Sequence, residues 1–532
     1  MKRLSIFPVL LAALLLTSCS DFLEEYSQDK ITATEVSHLD EVLLGSVYLP
    51  SIKLDGPSSS YFGFLNLLDD DVNTGRSNQT SGDLWKVWQP YVSGLFGYYA
   101  WQLEVGKDYE SGKVAGDDGS WKDFYTRINV TNVILDEIQD MPHETDEDDA
   151  TFYRVQGEAL FLRAQFYFML ANLYGKAYDP QSCATDLCVP LKLTPYVQTE
   201  KFERSTVKEV YDQIVADLEM AEQYLSQSPQ LEARRGYRAS LEAVNLLQSR
   251  VYLYMQQWAK AEEKAQAVID SPNNSLATID MLADDADFLT ENNSDVIFSQ
   301  GSNFISGASI FTGMVGDYCV TNELYSLYEE NDKRKEAFFE HHRQINGLLA
   351  DSLGLHRKYH REDSYRAHVS DVYTLRVSEA YLNKAEACAM QNKEGEACNA
   401  FNALRKNRIS DYSDETYTGE ELMKQIRDER RRELCFEGQR WFDLRRYAVN
   451  PTYPFTKKIL HILNTITDKG VYRLTRGYVL EERDDAYTFP IPRSVVDFDE
   501  IKNNNPRVKR LPAFTSIISD GREDENEKDD KE

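Results

Sequence analysis

Positive charge is what this sequence has least of. Its 532 residues carry 59 Lys and Arg against 88 Asp and Glu, a formal net charge of −29. A polyanion of this size repels nucleic-acid backbones, which argues against non-specific phosphate binding. An anionic membrane surface would repel it in the same way. Cysteine is scarce as well: seven residues and no Cys-x-x-Cys pair, so a structural zinc site is not expected. No apolar run reaches the ~20 residues of a spanning helix. Gly-x-Ser-x-Gly, Walker-type and Gly-x-Gly-x-x-Gly motifs are absent. His356 and His360 in "HRKYH" have metal spacing if the segment is helical. They lack the Glu of His-Glu-x-x-His, and Arg357, Lys358 and Arg361 disfavour a cation. Paired carboxylates are too common in so acidic a chain to identify a glycosidase. Cofactor: none; metal: none; catalytic residues: none.

What is present starts at the N-terminus. "MKRLSIFPVLLAALLLTSC" places Lys2 and Arg3 before a mostly apolar run from Leu4 to Leu16. That is too short to span a bilayer and fits a secretory signal over residues 1–18. Leu16, Thr17 and Ser18 before Cys19 resemble a bacterial lipobox, in which Cys19 is lipidated. Such a chain is anchored to a membrane without crossing it. The acidic "SDFLEEYSQD" that follows resembles a surface-export signal of Bacteroidetes lipoproteins, and equally suits a solvated tether over residues 19–30. Cys183 and Cys188 in "QSCATDLCVP" sit in a loop-like segment where a small disulfide could form outside the cytoplasm. Cys388 and Cys398 read as small buried residues of helices.

The length allows three or four domains or one large one, with ample core. From about 120 to 270 the pattern is helical. Trp121, Tyr125, Ile128, Asn132 and Leu135 fall on one face. "YRVQGEALFLRAQFYFMLANLYG" runs over five turns to Gly175, a natural C-cap. Ser205 or Thr206, with Glu209 close behind, starts another helix. Ser249, Tyr252 and Ala261 stand at tetratricopeptide offsets across a break near Gln256–Trp258. Ala385, Ala397 and Phe401 repeat that spacing. Ordinary helical hairpins would satisfy the same offsets. Residues 50–118 and 271–370 are irregular, with possible strands in "SDVIFSQ" and "DVYTLRVSEA". The tail, residues 516–532, lacks apolar content over most of its length and reads as disordered.

The most specific string is "IRDERRRELCFEGQRWFDLRRY", residues 426–447. Its bases alternate with acids, which points to internal ion pairs and not to a nucleic-acid patch. Leu434, Phe436, Trp441, Phe442 and Leu444 read as core. Together with "WKDFYTRINVTN", "GEALFLRAQFYFMLANLYG", "VYLYMQQWAKAEEKAQAVI", "RVSEAYLNKAEA" and "FPIPRSVVDFDEIKNNNP", in that family's order, the string resembles the SusD/RagB family of outer-membrane lipoproteins. The ending "NNNPRVKR" departs from the commoner Gln-Asn-Pro-Gly-Tyr.

The resemblance implies a mostly α fold: about four tetratricopeptide-like helix pairs, irregular ligand-binding regions and few short strands. It implies one domain over residues 31–515, with scaffold at about 31–50, 120–270 and 371–447. It also implies a non-enzymatic, surface-exposed lipoprotein of the outer membrane. Such a protein captures oligo- or polysaccharide and passes it to a SusC-like TonB-dependent transporter barrel. A peptide-capturing relative is the alternative, and a lipid-anchored glycosidase a more distant one.

Sugar rings present apolar faces and a hydroxyl rim, which aromatic planes and Asp, Asn or Arg can match. Residues 61–101 hold Trp85, Trp88 and Trp101, with Tyr91 and Tyr98. Asp69, Asp70, Asp71, Asn73 and Arg76 lie in the same stretch. These are the expected ligand residues, joined by Phe304 and Tyr318 of the second irregular region. Core packing for the Trp residues and turn formation for the acids would explain them too. "DDDVN" offers oxygens for Ca²⁺, but EF-hand spacing is missing.

Overall fold

The computed structural model describes residues 33–50, 62–74, 95–107, 112, 119–199, 201–228, 236–283, 287–301, 318–345, 348–359, 369–466 and 472–519. The signal, Cys19 and the acidic tether lie outside these residues.

The scaffold is helical. Helix α1 (Val36–Val42) runs into one π turn, Leu43–Val47. Helix α2 spans Gly119–Glu137 and α3 spans Asp146–Tyr174. Thr145 caps α3, accepting from the Asp148 N–H, and four acids fill its first turn, where the helix end is positive. Every residue of α3 from Val155 to Tyr174 is buried, so this helix is enclosed on all sides and has no polar stripe. Helix α4 (Val207–Leu225) opens with the expected capping box, Thr206 with Glu209. Arg163 of α3 pairs with Asp217 of α4 through two nitrogens, at 2.8 and 2.6 Å.

Helices α5 (Leu241–Tyr254) and α6 (Trp258–Ile269) are separated where the sequence predicts, with Gln256 at φ +61°. The repeat offset has a physical basis: the Ser249 hydroxyl donates to the Ala261 carbonyl at 2.8 Å, so the two helices touch there. Helices α7 (Val377–Met390) and α8 (Glu394–Arg405) repeat the arrangement around Ala385 and Ala397, both fully buried. Consecutive helices pack α3 on α4, α5 on α6, α6 on α7 and α7 on α8. Helix α9 (Gly419–Leu434) packs on α7, and α10 (Arg440–Ala448) follows it. The 426–447 string is therefore two helices, broken where Phe436 and Gly438 take positive φ. The five residues read as its core are all buried, as expected. Helix α11 (Arg493–Asp499) comes late in the chain.

The strands are few. β1 (Val72–Thr74) pairs antiparallel with β3 (Tyr318–Val320). β2 (Val296–Ser299) pairs with β6 (Thr374–Arg376), so the two predicted strands are partners. β4 (Phe339–Ile345) and β5 (Leu348–Leu355) form a hairpin inside the region read as irregular. His356 therefore follows a strand and not a helix turn, and its Nδ1 lies 3.0 Å from Glu340. His360 lies outside the described residues. β7 (Ile459–Ile466), β8 (Tyr472–Leu480) and β9 (Phe514–Ser519) form an antiparallel sheet that no sequence signal anticipated. β9 also moves the start of the tail: residues 516–519 are strand, because they pair with β8.

Gly175 is the C-cap of α3, as expected, and takes an extended conformation (φ −99°). It is glycine because a Cβ there would meet the Cys188 Sγ at 2.6 Å. Cys183 and Cys188 are both buried and free, with no disulfide between them. Burial pushes the Cys188 thiol up to about 12. No helix among the described residues is long and apolar enough to cross a membrane.

Candidate functional site

The segment carrying Trp85 and Trp88 leaves the described structure at Thr74. The segment carrying Phe304 enters it at Tyr318. These two residues are Cα partners in the β1–β3 pair, so the fold fastens both segments at one point. A dense polar lattice fixes that point against β7. The Tyr99 hydroxyl lies 2.8 Å from Asn73 Oδ1 and 2.9 Å from the Ile462 carbonyl oxygen. It also accepts from the Thr74 N–H at 3.0 Å. The Ile462 N–H donates to Asn73 Oδ1 at 2.7 Å. His461 stacks between Tyr99 and Trp101, each ring centroid 4.3 Å away. Its two ring nitrogens each lie 2.7 Å from a backbone carbonyl oxygen, of Tyr99 and of Asp69. Burial nevertheless pushes its pKa down to about 4, so the ring is neutral at pH 7 and donates to one of them.

Several expected ligand residues are committed to the interior. Asp70 is buried and accepts from Arg440 Nε and Nη2 at 2.8 and 2.9 Å, with Lys457 Nζ at 2.7 Å. Asp71 accepts from Arg431 Nε at 2.7 Å. Burial alone would raise the Asp70 pKa, but Arg431, Arg440 and Lys457 outweigh it and hold the carboxyl well below its usual range. Asp69 lacks such a cation and is raised, by burial and then by Asp71 and Asp70. These cations cover both Asp70 oxygens and Asp71 Oδ1, while Asp71 Oδ2 is buried without a hydrogen-bond partner. Trp101 is fully buried and its Nε1 donates to the Leu68 carbonyl at 3.0 Å. Tyr318 is 1% exposed, and Tyr98 stacks on Phe64 at 4.0 Å. Asn73 has its side-chain oxygen occupied by the lattice. Asp70, Asp71, Trp101 and Tyr318 are buried and, with Asn73, brace the platform. Arg76, Trp85, Trp88, Tyr91 and Phe304 lie outside the described residues.

Below the platform, the 426–447 string organises a buried ion-pair network. Glu433 accepts from Arg408 Nε at 2.9 Å, Arg334 Nη1 at 2.9 Å and Arg376 Nη1 at 3.0 Å. Glu437 pairs with Arg376 at 2.7 Å and Lys358 at 2.8 Å. Glu429 receives Arg334, Arg405 and Arg432, and Glu386 receives Arg446. Burial would raise all of these carboxyls, yet the arginines hold them below their usual range.

Cavities of about 830, 560 and 440 Å³ are lined by described residues, within the range of ligand pockets. None of these three is lined by Asp70, Asp71, Asn73, Trp101 or Tyr318. The largest lies between α2 and α11, walled by Trp121, Tyr125, Phe202 and Phe498.

Known proteins agree with this architecture. A family model described as starch-binding, associating with outer membrane, matches residues 74–253. A second, described as SusD family, matches residues 349–507. Together they cover more than half of the chain. The chain belongs to the SusD family. SusD-like protein P25 of Formosa agariphila is 28% identical over 185 residues, covering 34% of this chain and 31% of that protein. The match thus spans less than a third of that relative's length. SusD-like protein P38 of the same organism is 24% identical over 384 residues, 61% of this chain and 71% of that protein. A SusD superfamily protein from Bacteroides thetaiotaomicron superposes with a TM-score of 0.67 at 21% identity, covering 89% of this chain and all of that one. A laminarin-binding SusD-like protein superposes with a TM-score of 0.57 at 20% identity, covering 85% and 95%. In this SusD-family chain, reading the sequence missed Tyr99, Thr74 and His461 as platform residues. A lone His and a Tyr among 32 carry no signal of their own.

Proposed function

We propose that the protein captures a glycan at the cell surface without cleaving it and delivers it to a SusC-like TonB-dependent transporter barrel. The observation that carries this reading is the joining of the two aromatic-rich segments at Thr74 and Tyr318 on a braced platform. Trp85, Trp88, Tyr91, Arg76 and Phe304 are the side chains assigned to the ligand, the rings to sugar faces and Arg76 to the hydroxyl rim. Further support comes from the family model's description and from the laminarin-binding neighbour. Asp70 and Asp71 hold cations in the interior, which supports structural roles for these two acids. In this reading Cys19 carries the lipid anchor on the outer membrane and residues 19–30 form the tether. The anchor raises the effective concentration at the barrel, so moderate affinity suffices.

Affinity electrophoresis of the wild type, Trp85→Ala and Trp88→Ala against a panel of neutral polysaccharides tests it. Retardation of the wild type, lost in at least one variant, is expected. New reducing ends in the same mixtures would overturn the non-catalytic reading. Capture of peptides, and of no glycan, would turn the reading to the peptide-binding relatives.

A further inference from the structure

Arg507 is the residue whose chemistry the fold leaves unanswered. It is only 8% exposed, yet Nε, Nη1 and Nη2 are all shut off from solvent and none has a hydrogen-bond partner. Its one described contact of this kind is with the Phe489 ring, centroid 4.7 Å from Cζ. Burial, with the Arg510 cation nearby, pushes its pKa down to about 9. The arginines of the buried network behave oppositely: Arg376 and Arg334 are raised, because carboxylates more than offset their burial. An uncompensated buried guanidinium costs several kcal/mol, so a fold that keeps one invites a partner from outside.

Arg507 is one of the residues that line the cavity of about 560 Å³. Its walls are stapled. Asn504 exchanges hydrogen bonds with the Ile491 backbone at 2.7 and 3.0 Å, and Asn505 donates to the Tyr174 and Phe489 carbonyls at 2.7 and 2.6 Å. Of the described lining, only Glu104 is acidic, and it is already paired with Lys107 at 3.2 Å. Phe489, Tyr174 and Ile491 supply apolar faces.

We propose that this cavity is a subsite for an anionic group, a carboxylate or a sulfate ester carried on a sugar ring, with the Arg507 guanidinium as its cation. The fork of donors suits either planar or tetrahedral oxyanions, and the aromatic wall suits the ring. The sugar body rests on the glycan-capture reading; the anion requirement rests on Arg507 alone.

The test uses the mature chain and three probes by saturation-transfer NMR and titration. They are methyl β-D-glucuronide, glucose 6-sulfate and the neutral methyl β-D-glucoside. One or both anionic probes should bind about tenfold tighter than the neutral one, as for one charge-assisted hydrogen bond of ~1.4 kcal/mol. Which of the two does so separates carboxylate from sulfate. Arg507→Gln should abolish the preference and Arg507→Lys should restore part of it. Neither variant should melt below the wild type, since each loses or redistributes an unpaired charge. Equal binding of all three probes, or a preference that survives in Arg507→Gln, would overturn the subsite whatever the neutral polysaccharide panel shows. Competition only by an acetylated tripeptide with a free C-terminus would move the cavity to peptide carboxylates and overturn the sugar assignment. A variant that melts well below the wild type would mark the arginine as structural, and likewise count against it.

Discussion

Arg376 and Arg507 are both buried arginines, and they live in opposite surroundings. Arg376 meets Asp295, Glu433 and Glu437 at 2.7–3.0 Å. Arg507 meets no carboxylate and no hydrogen-bond acceptor among the described residues. The first arrangement compensates each charge in place and ties β6 to the end of α9, to the turn after it and to the residue before β2. The second leaves a buried charge without a partner at the wall of a cavity. A chain of net charge −29 has acids to spare, so the missing partner at Arg507 is not a shortage of carboxylates. The difference teaches that buried charge can serve two ends: internal cross-linking when its partners belong to the fold, and recognition when they do not.

The largest effect should come from breaking the paired region. Glu433→Ala would take from Arg334, Arg376 and Arg408 the one carboxylate that all three share. A loss of about 3–5 kcal/mol is expected in urea unfolding; a loss below about 1 kcal/mol would erase the contrast with Arg507.

Acid should act on the same region. Glu429, Glu433, Glu437, Glu386 and Asp443 have folded pKa values depressed by arginines. The stability they contribute is full above the unfolded-state value of ~4 and is lost as pH falls through the lower folded values. His461, depressed to about 4, adds a loss in the same direction below its usual ~6.5. Stability should therefore decline on acidification from about pH 6 and steepen below pH 4. NMR titration should find the His461 ring neutral down to about pH 4; a midpoint near its usual value would mean that the carbonyl pair prefers the charged form.

The matched substitution sharpens the comparison. Arg376→Met should cost several kcal/mol by removing the cation that Asp295, Glu433 and Glu437 share, whereas Arg507→Met should be neutral or stabilising by ~1 kcal/mol. Thermal melts of the pair decide it, and equal losses would show that Arg507 has a structural role. Exposed pairs set the baseline: Lys208→Ala, which removes an i,i+4 contact to Asp212 on the surface of α4, should leave the thermal melt unchanged.

The helices were legible because their signals are local. Thr206 and Glu209 form a cap within four residues, and Ser249 and Ala261 meet twelve residues apart. The pairing of β2 with β6 joined two segments that the sequence had marked as strands, though nothing in it said they were partners. The β7–β8–β9 sheet went unread because its outer strands are joined through β8 across a long stretch of chain. The candidate site fared worst. Asp70 and Trp101 look like ligand residues in a Trp-rich acidic stretch, and their fate depends on Arg440 and Leu68.

By itself, the sequence determined the scaffold: helix positions, their caps, the small residues that let helices approach, and the alternation of acid and base that promised internal ion pairs. These depend on neighbours within a turn or two, where spacing is set by the geometry of the helix. Only the tertiary structure decided which charge answers which. Asp71 and Arg431 are 360 residues apart and touch, and Arg507, amid an excess of acids, touches none. Electrostatic partnership is fixed by distance and burial, and neither is written in the order of the residues.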